Sequence, residues 1–124
     1  MLEVAPGWSV DVSRGPDWLF VRLHEDRAHE MDTTGLADSL WNLLQQQFAH
    51  RLVLELDDVS TLPSSLLSEL VRLYRRIHAQ GGLMRLCGLS DEHLELLRLT
   101  RLQRCFPHYD SLTEAVMGTP PKPR

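Results

Sequence analysis

Apolar positions near the start of the chain recur every second residue. Trp8, Val10 and Val12 stand on one side of an extended segment, with Ser9 and Asp11 on the other, the period of a half-buried strand. The turn cluster Arg14-Gly15-Pro16-Asp17 follows. Residues 18–23 (WLFVRL) then read as a second strand and hairpin partner, and their more continuous apolar character suits a strand covered on both faces. Beyond the polar residues 24–30 the period changes. Leu36, Leu40, Leu43, Leu44 and Phe48 fall on one face of a helix, with Asp32 or Thr33 as its cap. Residues 52–56 (LVLEL) fit a central strand. The spacing predicts a helix over residues 65–80, burying Leu67, Leu70, Val71, Tyr74 and Ile77 and ending at Gly81-Gly82. Residues 83–87 form the next strand. Ser90 caps a third helix, with Asp91 and Glu92 at the positive end of its dipole and Leu94 and Leu97 inward. Residues 105–109 read as a last short strand. Ser111-Leu112-Thr113-Glu114 is a capping box that opens a final helix, and residues 119–124, rich in proline, read as a disordered tail.

The order is strand, strand, helix, then strand–helix three times. It predicts an α/β fold: one domain over residues 1–118, with a mostly parallel sheet of four to five strands, right-handed β-α crossovers and an N-terminal β-hairpin. In such sheets binding surfaces gather beyond the carboxyl ends of the strands. Those are the links at residues 57–65, 88–90 and 110–111.

Composition narrows the function. The chain has 124 residues, enough for one core, and 43% of them are apolar. A net charge of -4 disfavours a nucleic-acid partner. No apolar run is long enough to cross a bilayer, and Met1-Leu2-Glu3-Val4 lacks signal-peptide features, so the expectation is a cytoplasmic protein away from membranes. Cys87 and Cys105 lack redox or zinc spacing and read as core thiols. The histidines (His24, His29, His50, His78, His93 and His108) are scattered and read as surface or interface residues. His24-Glu25 followed by His29 is one residue too long for a zinc motif. Glu55, Asp57 and Asp58 cluster at a strand end without a nucleophile, so they read as a solvated link. No catalytic residue, metal or cofactor is indicated. Arg72, Arg75 and Arg76 form a basic patch, a solvated face or a contact to an acidic partner, with Glu69 three residues before Arg72.

Residues 52–77 read LVLELDDVSTLPSSLLSELVRLYRRI, and Gly81-Gly82 is followed by Met84-Arg85-Leu86-Cys87-Gly88-Leu89-Ser90. With Leu99-Thr100-Arg101-Leu102 and residues 106–115, this resembles the STAS domain of bacterial anti-sigma-factor antagonists. The resemblance implies a regulatory module, not an enzyme, that acts by protein–protein contact. Its implied partner is an anti-sigma factor that is itself a serine protein kinase. It puts the phosphorylation site on Ser65 and the partner surface around Ser64, Ser65, Leu66, Asp58 and Ser90. The chain departs from the motif at three places. Pro63 replaces the aspartate before the serines, Leu66 replaces the glycine after them, and His24-Glu25-Asp26 stands where the family has a glycine. These departures support an alternative, a degenerate scaffold module that mediates assembly without being phosphorylated. Neither reading fixes an oligomeric state.

Overall fold

The structure, a computed structural model, describes residues 2–26, 32–107 and 109–118. Its strands are β1 (Leu2–Ala5), β2 (Trp8–Arg14), β3 (Leu19–Glu25), β4 (Arg51–Glu55) and β5 (Leu83–Cys87), and its helices α1 (Leu36–Gln46), α2 (Ser64–Ala79), α3 (Asp91–Leu99) and α4 (Leu112–Met117). They form one five-stranded sheet in the order β1-β2-β3-β4-β5. β1, β2 and β3 pair antiparallel, whereas β3, β4 and β5 pair parallel. The sheet is therefore mixed, not mostly parallel. β1, a strand the alternation did not reveal, adds an antiparallel pair at the edge. Its pattern is exposed–exposed–buried–buried, so no period of two marks it.

Alternation assigns the two faces. Val12, Val21, Leu54 and Leu86 lie side by side across the strands, as do Leu19, Leu52 and Met84. Apart from Val12, which is 38% exposed, these rows share one core with the apolar stripes of α1 and α2 and with Leu97 of α3. The opposite face carries Ser13, Phe20, Val53 and Arg85 in one row and Asp11, Arg22, Glu55 and Cys87 in the next. A smaller core covers only part of it, with Trp18, Tyr109 and Ala115 of α4 packing on Val53 and Cys87. Both faces of β4 are thus covered, which explains its unbroken run Leu52-Val53-Leu54. Arg85 holds the smaller core together. Its Nη1 donates to the Ala115 and Val116 carbonyls at 2.7 and 3.3 Å, and its guanidinium lies 5.4 Å from the Trp18 ring centroid and 5.7 Å from that of Tyr109.

Several boundaries differ from expectation for local reasons. Gly35, in the left-handed conformation, caps α1. Asp32 instead folds its carboxylate onto Thr34, whose side chain first and N–H second, the latter at 2.9 Å, lower its pKa. Phe48 lies past the end of α1 with φ 53° and is 85% exposed, so it leaves the apolar face. The α2 stripe is Leu66, Leu67, Leu70, Leu73 and Ile77, with Val71 and Tyr74 half-buried at its margin. Leu97 is buried as expected, but Leu94 is only half-buried and His93 takes the inward place. Residues 101–107 form turns rather than a strand, and they pack Phe106 against Tyr74 in the core. Trp8 is buried. His29, His108 and the tail expected at residues 119–124 lie outside the described residues.

Candidate functional site at the start of the second helix

The chain leaves the carboxyl end of β4, an interior strand, and returns as α2. Pro63, at φ -64° and ψ 158°, is the N-cap. Proline fixes φ and presents no N–H, so the entry to the helix is stiff. Ser64 and Ser65 occupy the first two helical positions and both are exposed. Neither side chain caps the helix. The Ser64 carbonyl accepts from Ser68 Oγ at 2.9 Å. Ser65 Oγ has no hydrogen-bond partner among the described residues. The first turn of α2 contains no carboxylate, so nothing there offsets the partial positive charge of the helix end.

Leu66 behaves otherwise. Its side chain is fully buried, in the core shared with α1 and the sheet. It therefore offers no surface to a partner, and the expectation that it joins the partner surface is corrected. The bulk that replaces the family's glycine points away from the Ser65 hydroxyl's exposed side.

The link before α2 is fixed from two directions. Glu25, at the end of β3, accepts from the Ser60 N–H at 3.1 Å and from Ser60 Oγ at 2.6 Å. His93 Nε2 lies 3.2 Å from the Ser60 carbonyl, while its Nδ1 accepts from the Ser90 N–H at 3.2 Å. That pattern places the ring proton on Nε2. Every polar group of Ser60 is thus engaged. Beside it, His24 lies 2.7 Å from Asp58 and 2.7 Å from Asp11. Two of the three residues that replace the family's glycine therefore tie the link to the sheet.

Ser90 caps α3, accepting from the His93 N–H at 3.1 Å as His93 answers in return. Asp57, Asp58, Ser90, Asp91 and Glu92 line an open groove of about 710 Å³ beyond β4 and β5. Gly88 sits there at φ +72°, a conformation that strains any side chain, and a Cβ would also press within 3.1 Å of the Asp57 backbone nitrogen. Glu55 turns to Arg22 on the neighbouring strand at 3.4 Å, which raises the Arg22 pKa. Burial first, and then the charges of Glu55 and Asp57, push the Cys87 thiol up to about 12, so it is no nucleophile at neutral pH. No group of three metal-ligating side chains occurs among the described residues. No helix among them is long and apolar enough to cross a membrane.

The structure thus brings Ser64, Ser65, Asp58 and Ser90 to the carboxyl end of the sheet and sends Leu66 inward. The sequence reading missed Glu25, Ser60 and His93. Only Ser90 with His93 at capping-box spacing carried a local signal, and it was hidden because histidine stood where glutamate or glutamine is usual.

Similar folds recur among solved structures. A putative anti-sigma factor antagonist from Thermotoga maritima matches with a TM-score of 0.72 and 18% identity over 89% of this chain and 93% of that one. An anti-sigma factor antagonist from Mycobacterium paratuberculosis matches with a TM-score of 0.71 and 21% identity over 90% and 93%. The Bacillus cell fate determinant SpoIIAA in its phosphorylated form matches with a TM-score of 0.63 and 14% identity over 89% and 98%. Among curated proteins no sequence match is found. The family model for the STAS domain matches residues 28–115, most of the chain, and the protein belongs to the STAS domain family.

Proposed function

We propose that this chain is a cytoplasmic regulatory module of the anti-sigma-factor antagonist type. It performs no catalysis. It binds an anti-sigma factor that is also a serine kinase, through the carboxyl end of the sheet and the start of α2, and phosphorylation of Ser65 ends the contact. The observation that carries this reading is the Ser65 hydroxyl, exposed and unengaged in the first turn of α2, a turn that holds no carboxylate. A phosphate there finds free N–H groups and a favourable dipole, yet adds nearly two negative charges where the partner met a neutral hydroxyl. The likeness to a phosphorylated structure of SpoIIAA supports it.

The test is calorimetric titration of the cognate anti-sigma factor with wild type, Ser65→Ala and Ser65→Asp. Retained binding by the alanine form with loss by the aspartate form is expected. Equal affinity for all three rejects the switch. Pro63, exposed where the family has an aspartate, favours the second reading, a scaffold module that assembles with partners unphosphorylated. Under that reading all three variants bind alike and the kinase leaves no phosphate on the chain.

A further inference from the structure

A second groove, of about 390 Å³, runs along α2 from the serine turn toward its middle. Leu67, Val71 and Leu102 give it apolar walls, and Ser64 stands at one end. Arg72 and Arg75 line it as well. Arg72 is held by Glu69 at 3.0 Å, but Arg75 has no ion pair among the described residues. Arg101 and Arg104, on either side of Leu102 in the chain, are exposed and equally unpaired among those residues. Leu99, just before them, is 64% exposed. A chain of net charge -4 therefore lines this largely apolar groove with two arginines and no carboxylate, while the groove beyond β4 and β5 is lined by Asp57, Asp58, Asp91 and Glu92.

From this we infer that the groove docks an acidic amphipathic helix of a partner protein. The inference rests on the reading of this surface as the partner-binding surface and adds the chemistry of what is bound. The stretch of α2 from Ser64 to Arg75 spans about 16 Å, the length of some three helical turns. An occupant of that length buries apolar residues at helical spacing between Leu67, Val71 and Leu102. Its carboxylates meet Arg75, whose guanidinium is open to bidentate pairing, beside Arg72. Charge of the opposite sign is rejected by the same arginines, so the groove selects as well as binds. Ser64 and Ser65 stand at the other end, where a new phosphate meets the edge of the docked helix instead of its acidic end.

The experiment uses the full chain and a displayed library of 12-residue peptides. Leucines are fixed at helical spacing and the remaining positions are randomised. Panning on wild type is followed by counter-selection against Arg75→Glu. Enrichment of Asp and Glu is expected, with selected peptides binding wild type at least tenfold more tightly than Arg75→Glu or Val71→Asp. Circular dichroism of both variants checks that they are folded. Neutral or basic selected peptides, or binding that neither variant weakens, overturns the inference. The switch fails separately. If acidic peptides bind and the cognate kinase leaves Ser65 unmodified, the groove stands and the phosphorylation reading falls.

Discussion

The two faces of the sheet are built differently. The face toward α1 and α2 is apolar and almost wholly buried except where Val12, Arg14 and Glu25 end its rows. The opposite face is apolar only under α4 and Tyr109. On β2 and β3 it carries Asp11, Arg22 and His24 instead. The sealed face supplies stability and fixes Leu66, and thereby the pose of α2. The open face supplies polar groups, and two of its consequences reach the site, since His24 contacts Asp58 and Arg22 holds Glu55. The comparison teaches that the serine turn is anchored by hydrophobic packing on one side of the sheet and oriented by polar contacts from the other.

The largest expected effect lies on the sealed face. Leu66→Ala should cost about 2–5 kcal/mol in urea unfolding, as a fully buried leucine leaves a cavity. A loss under about 1 kcal/mol would mean that Leu66 is not core and would return it to the surface. On the other face, Arg85→Ala should cost about 1–3 kcal/mol, because the carbonyls that end α4 lose a charged donor. Hydrogen exchange should then rise in α4 before it rises in α2.

Glu25→Ala separates orientation from packing. Its expected cost is about 1 kcal/mol for two exposed hydrogen bonds, with faster exchange at the Ser60 amide and weaker binding of the partner. Unchanged exchange at Ser60 would remove Glu25 from the account. His78 gives a smaller, pH-dependent effect. Burial first, and then the Arg85 charge, lower its pKa. The folded chain therefore binds that proton less readily than the unfolded chain, and stability is lost as pH falls through the ordinary histidine range near 6.5. Thermal unfolding from pH 7.5 to 5 should show a smaller drop for His78→Phe than for wild type. Equal slopes would contradict the assignment.

Much of this fold is legible in the chain because its signals are local. Residues 83–87 form the strand that the apolar run implied, and Ser90 caps the helix that Asp91 and Glu92 announced. The α2 stripe is legible at Leu67, Leu70 and Ile77, whereas Leu66 and Leu73 also turn inward and Val71 and Tyr74 fall at its margin. β1 escaped because only its last two residues, Val4 and Ala5, are buried, and no alternation marks them. Residues 105–109 were read as a strand because aromatic burial at Phe106 and Tyr109 imitates one. The contacts of Glu25 and His93 with Ser60 join residues more than thirty apart, and no local pattern announces such pairs.

The hydroxyl at the head of α2 is the point on which the proposed regulation depends. Mass-spectrometric mapping after incubation with the cognate serine-kinase anti-sigma factor and ATP tests it directly. One phosphate per chain on Ser65, absent from Ser65→Ala, is the predicted result. A chain that stays unmodified, or that carries its phosphate away from the Ser64–Ser65 turn, would contradict it.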